Sequence, residues 1–226
     1  GANSATDTAV GTPPSVTGIT AVPGNAIDIT FSELMGGTVS AAASYTLSGD
    51  GAGTLLDPPS QAAPDTVTQT GSTTYRLAWA QGEMRTGAQI VITVDGAGVT
   101  DRLGNPLGAG GNPAYGTGQG VAPTVAEVRV LDAQHVRVTF SEPMRPLGID
   151  TPAKYALQLA GSSHTLAATP DTVSAGAAAY PGEVELAWNS GALAQGEDVT
   201  AGVPDAYAST LKDVAGNPLG MPYQAT

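Results

Sequence analysis

Ala26-Ile27-Asp28-Ile29-Thr30-Phe31-Ser32-Glu33-Leu34-Met35 decides how this chain is read, because it occurs twice. The second copy, His135-Val136-Arg137-Val138-Thr139-Phe140-Ser141-Glu142-Pro143-Met144, lies 109 residues further on. In both copies apolar and polar side chains alternate. Ile27, Ile29 and Phe31 point one way and Asp28 and Thr30 the other; Val136, Val138 and Phe140 stand likewise against Arg137 and Thr139. A period of two is that of a strand with one buried face.

Outward from these strands the match continues in order. A partner strand precedes each, over 16–22 and 125–131, joined by the short turns Pro23-Gly24-Asn25 and Asp132-Ala133-Gln134. Leu77-Ala78-Trp79 matches Leu186-Ala187-Trp188 at the same offset, as Met84 and Gly87 match Leu193 and Gly196. Pro64-Asp65-Thr66-Val67 matches Pro170-Asp171-Thr172-Val173. Asp101-Arg102-Leu103-Gly104-Asn105-Pro106-Leu107-Gly108 matches Asp213-Val214-Ala215-Gly216-Asn217-Pro218-Leu219-Gly220. Ordered self-similarity of this extent is an internal repeat. The sequence therefore predicts a tail over 1–12, one domain over 13–108, a linker over the Gly-rich stretch 109–122, and a second domain over 123–226. Further strands are predicted over 75–79, 90–94, 183–188 and 198–203, with one-turn helices near 41–43, 81–85 and 151–154. Trp79 and Trp188 are expected to fill the space between two sheets.

Composition agrees with an all-β chain. Thirty glycines and 17 prolines punctuate segments that alternate cleanly, which marks turns rather than disorder. The net charge is −12, and lysine occurs only at Lys154 and Lys212. No basic patch can neutralise phosphates, so nucleic acid is excluded as a partner; anionic membrane surfaces are excluded likewise. Cysteine is absent, which removes disulfides and thiolate metal sites. No apolar run is long enough to span a membrane. No signal peptide is visible, and the chain is expected to begin after one was removed.

A strand ending Thr-Phe-Ser-Glu, a tyrosine after a short loop (Tyr45, Tyr155), a strand running into tryptophan, and a closing Asp-x-x-Gly-Asn-Pro-Leu make a pattern that resembles the SbsA-type bacterial immunoglobulin-like domain. The resemblance covers both repeats. It implies two tandem immunoglobulin-like β-sandwich domains of a secreted bacterial surface protein, a family of building blocks with no shared catalytic residues to transfer. The Gly/Asp/Pro-rich insert 48–64 of the first repeat departs from the pattern and is expected to be a binding loop or a decoration.

The motifs that could carry chemistry have plainer readings. Asp101 and Asp213, each with its Gly-Asn-Pro, could ligate a cation, but they suit a tight turn in which Asp accepts backbone amides and Gly supplies positive φ. Calcium needs six to eight oxygens and no EF-hand loop is present, so neither calcium nor any other cofactor is assigned. Glu33 and Glu142 are repeat copies of one position, one per domain, with no reason to form a glycosidase pair. His135 and His164 are the only histidines and are expected to face solvent; there is no zinc motif and no Gly-x-Ser-x-Gly elbow. No catalytic, cofactor or metal residue is assigned. The function expected is a non-catalytic structural module at the cell surface, a spacer or an assembly subunit of a layer or filament. The alternatives are an adhesin module binding carbohydrate or protein through Tyr115, Tyr180, Tyr207 or Tyr223, and an accessory pair from a larger secreted enzyme. Self-association is expected through the tail 1–12 or through edge strands.

Overall fold

The computed structural model describes residues 11–57, 61–159 and 164–226. It is mainly β, with 37% of residues in strands and 8% helical. The chain divides into two compact units after Gly120.

The first unit holds β1 (Val16–Val22), β2 (Ala26–Phe31), β3 (Met35–Gly37), β4 (Tyr45–Ser48), β5 (Thr66–Gln69), β6 (Thr74–Ala78), β7 (Gln89–Val94), β8 (Val99–Asp101) and β9 (Ala114–Thr117). One antiparallel sheet has the order β1-β2-β6-β5 and a second β4-β7-β9, with β3 and β8 paired apart. Alternation does what the sequence requires of it. Ile27, Ile29 and Phe31 of β2 and Leu77 of β6 share one core with Leu47 of β4 and Ile90 and Ile92 of β7, while Asp28 and Thr30 stay half-exposed. Phe31 and Tyr75 meet edge to face there, 5.9 Å between centroids.

The second unit holds β10 (Val125–Val130), β11 (His135–Phe140), β12 (Ala156–Leu159), β13 (Thr172–Ser174), β14 (Glu183–Ala187), β15 (Val199–Gly202) and β16 (Gln224–Ala225). Its sheets run β10-β11-β14-β13 and β12-β15-β16. Apart from β3 and β8, for which the second unit has only the isolated bridge between Met144 and Asp213, this repeats the first unit strand for strand. Even the irregularity is copied: β1 slips register between Val16 and Gly18, and β10 between Val125 and Glu127. A bulge reproduced at one place in both copies is a feature of the fold, not a defect.

Three expectations need correction. The stretch 109–122 is not simply a linker, because Ala114–Thr117 forms β9 and pairs with Gln89 to Ile92 of β7. Its glycines give it a linker's composition, but Gly116 is where a Cβ would press on Ile19, at 3.0 Å from Cγ1; glycine lets the strand lie close. The insert 48–64 is not a surface decoration either, though its residues 58–60 lie outside the described set. Asp50–Leu56 forms a 3-10 segment whose Ala52 and Leu55 are fully buried in the core. Helical turns occur at Ala42–Ser44 and Pro152–Lys154 as expected, but not at 81–85, while Asp205–Ala208 adds a short α-helix.

Candidate functional site

The serine, tyrosine, tryptophan and Pro-Asp-Thr-Val motifs that the two copies share make the same kinds of folding contact in both. The serine after the phenylalanine ties down the chain before β1 and β10. Ser32 Oγ accepts the Ser15 amide at 3.0 Å, and Ser141 Oγ accepts the Thr124 amide at 2.9 Å. The aspartates of the Pro-Asp-Thr-Val copies bind amides beyond the tryptophans, Asp65 that of Ala80 at 2.6 Å and Asp171 that of Asn189 at 2.7 Å. Tyr45 donates its hydroxyl to the Val39 carbonyl at 2.5 Å, and Tyr155 to that of Ile149 at 2.6 Å. Burial pushes both phenols well above the ordinary tyrosine range. Trp79 and Trp188 lie just past β6 and β14 and are 1% and 3% exposed, as expected of core residues. Their indole N–H groups donate to the Gln61 and Ala167 carbonyls.

The Asp-x-x-Gly-Asn pieces are tight corners. Asp101 Oδ1 accepts the amides of Leu103 and Asn105, both at 2.8 Å, and its Oδ2 accepts Asn105 Nδ2 at 2.7 Å. Gly104 sits at φ +88°, where a side chain is rarely tolerated. The Asn105 side chain, helped by the corner's amides, holds the Asp101 carboxyl below the usual carboxylate range. In the second unit Asp213 Oδ1 accepts the amides of Gly216 and Asn217. Its Oδ2 is buried with no hydrogen-bond partner among the described residues. Glu142 offers a carboxylate oxygen within 4.8 Å of Asp213.

The histidines, expected to face solvent, are partly exposed, with side chains 37% and 25% exposed, and each lies against a carboxylate. His135 Nδ1 is 2.8 Å from Asp132 Oδ1, and His164 Nδ1 is 3.0 Å from Glu197 Oε1, whose side chain is 6% exposed. The Gln134 amide, and then the His135 ring, hold the Asp132 carboxyl below its ordinary range. Of the tyrosines considered for recognition, Tyr115 and Tyr180 are exposed, whereas Tyr223 packs against the core of the second unit.

Beyond β9 the first unit has a feature that the sequence comparison did not single out. In the first unit the chain continues beyond β9, and residues 118–120 run on between the β1–β2 turn and β7. Gly24 donates its amide to the Gln119 carbonyl (2.9 Å), and Gly87 to that of Gly118 (3.0 Å). Gly118 donates back to the Ala88 carbonyl (2.8 Å), and Gly120 to Thr86 Oγ1 (3.0 Å). In the second unit the matching positions line an open groove of about 430 Å³, walled by Val130, Ala133, Leu193, Gly196, Glu197 and Val199. Ala133 and Gly196 stand where Gly24 and Gly87 stand in the first unit; the correspondence is fixed by Leu193 donating to Ala133 as Met84 donates to Gly24.

No protein-family model matches the chain. No curated protein matches it either. Among solved structures it is similar to the S-layer protein rSbsC(31–844), with a TM-score of 0.37, 11% identity, and coverage of 85% of this chain and 24% of that one. It is similar also to the N-terminal part of the bacterial S-layer protein SbsC, again at TM-score 0.37 and 11% identity, covering 79% of this chain and 45% of that one. The chain thus spans less than half the length of either. A likeness this slight assigns neither a fold family nor a role. Among the described residues no helix is long and apolar enough to cross a membrane.

Proposed function

We propose that the chain is a pair of immunoglobulin-like β-sandwich domains serving as a non-catalytic structural module of a secreted bacterial surface protein. The observation that carries this reading is the strand order. Labelled A to G along each copy, leaving out the short β3 and β8 of the first unit, the sheets read A-B-E-D and C-F-G in both. That is the order of a constant-type immunoglobulin sandwich. What the copies share is accounted for by folding contacts: the serine ties, the tyrosine-to-carbonyl bonds, the indole bonds and the aspartate corners. A duplicated active site would repeat a cluster of reactive groups. Here Glu33 and Glu142 each follow the end of an equivalent strand in their own unit.

Surface labelling of intact cells that produce the protein, together with a broad hydrolase and transferase screen of the purified chain, tests the reading. Labelling without permeabilisation and no turnover are expected. Turnover abolished by Glu33→Gln or Glu142→Gln overturns it. Glycan binding lost on Tyr115→Ala or Tyr180→Ala replaces it with the adhesin reading.

A further inference from the structure

The aspartate corners share a sequence motif and differ in how the carboxylate is satisfied. In the first unit the turn itself occupies both oxygens of Asp101: the Leu103 and Asn105 amides donate to Oδ1 and Asn105 Nδ2 donates to Oδ2. In the second unit the Gly216 and Asn217 amides hold Asp213 Oδ1 in the same way. Asp213 Oδ2, however, is buried with no hydrogen-bond partner among the described residues, on a residue only 1% exposed. A buried carboxylate oxygen is ordinarily matched by a donor or a cation, because taking it out of water without replacement is costly. No side-chain cation does this here. Asp213 makes no ion pair among the described residues, and the nearby Arg145 guanidinium donates instead to the Val214 carbonyl, with Nη2 at 3.0 Å.

The fold delivers a second carboxylate to the same corner. Met144 is bridged to Asp213, which brings Glu142, two residues earlier, close enough for its carboxylate oxygen to lie within 4.8 Å of that of Asp213. Two carboxylates at this range, one of them buried, repel each other unless positive charge lies between them. Two oxygens bound to one calcium ion at 2.3–2.6 Å stand at most about 5 Å apart, so a single ion can reach both.

We propose that Asp213 and Glu142 form a calcium site of the second unit, in which the ion takes the place that Asn105 Nδ2 fills beside Asp101 in the first. Asp213 Oδ2 and the Glu142 carboxylate are the charged ligands, and water and main-chain oxygens complete the shell. Calcium suits this corner better than magnesium. Its coordination is irregular and accepts oxygens fixed by the fold, whereas magnesium demands a near-ideal octahedron and gives up its waters reluctantly. The ion clasps the segment after β11 to the Asp-x-x-Gly-Asn turn, 71 residues on in sequence from Glu142 to Asp213. The first corner needs no ion, because its own asparagine already satisfies the second oxygen. The site does not depend on the structural-module reading, and failure of either leaves the other standing.

Calorimetric titration of calcium chloride into the full chain, first stripped of metal with a chelator, tests the site, with melting curves recorded in calcium and in excess chelator. Binding of one ion per chain is expected. A rise in melting temperature should accompany it, because an ion held only by the folded form stabilises that form by mass action. Asp213→Asn and Glu142→Gln are each expected to weaken binding by about tenfold or more, at least what loss of an outer-shell partner costs a metal site, and to remove the rise. Asp101→Asn takes the same charge from the corner that is already closed, and is expected to leave calcium binding unchanged. If Asp213→Asn does not fold, Glu142→Gln at a half-buried position carries the test alone. A chain that binds no calcium overturns the proposal. So does binding undiminished by Glu142→Gln or by a folded Asp213→Asn, and so does binding that Asp101→Asn weakens as much as they do.

Discussion

Arg76 and Asp28 face each other across β6 and β2, with guanidinium Nε and Nη2 donating to the two carboxylate oxygens at 2.8 and 2.9 Å. At the matching place in the second unit the charges are exchanged, Arg137 on β11 standing opposite Glu185 on β14 at 3.7 Å. The two copies keep an opposite-charge pair while reversing which strand carries which sign, as expected of directly cross-strand neighbours. Asp28→Arg and Arg76→Glu are each expected to lower the melting temperature, since each places like charges opposite one another. The double substitution, which writes the second unit's pair into the first, is expected to recover most of the loss. Thermal melts at low and high salt check this, and simple additivity of the two losses refutes it.

Trp79→Ala and Trp188→Ala are expected to cost about 3–5 kcal/mol each, from lost burial and the cavity left behind. Each substitution also leaves a carbonyl, of Gln61 or Ala167, without its indole donor. Denaturant titration followed by circular dichroism measures the loss.

Tyr45→Phe and Tyr155→Phe keep the ring and remove only the hydroxyl, leaving the buried Val39 or Ile149 carbonyl unpaired at a cost of about 1–3 kcal/mol. The same burial predicts an alkaline effect. Both phenols have folded pKa values raised above the ordinary 10.0. Their contribution is therefore fully present below about pH 10 and is lost as pH rises past it, because only the unfolded chain ionises readily there. Ultraviolet titration is expected to show these two tyrosines ionising only as the protein unfolds.

Asp101 predicts the opposite pH dependence. Its folded pKa lies below the ordinary 3.8, so its contribution is present above about pH 4 and is lost as pH falls toward the folded value. Melting of the first unit is expected to drop across that acid range, and Asp101→Asn is expected to flatten the drop while lowering stability at neutral pH. An acid profile unchanged by the substitution refutes the assignment.

Much of the architecture was legible in the chain. Alternation of Ile27, Ile29 and Phe31, repeated at Val136, Val138 and Phe140, determines strands with one buried face, because successive side chains of a strand must point to opposite sides. Duplication at a constant offset located the tryptophans, tyrosines and aspartate corners, whose partners are mostly nearby backbone groups and so leave a local signature. What only the tertiary structure decided is non-local. Residues 109–122 read as a linker by composition, yet Gly116 and Gly118 are the glycines of a strand and its continuation, placed there because Ile19 and neighbouring carbonyls leave no room for a Cβ. Ala52 and Leu55 of the insert enter the core by a 3-10 turn that no periodicity announces. His135 and His164 find carboxylates, the latter 33 residues away in sequence. The bonds that hold residues 118–120 to Gly24 and Gly87 are the furthest from sequence reading, since they join main-chain groups far apart in the chain. Main-chain hydrogen bonding carries no side-chain signature, so only the folded coordinates reveal where it is made.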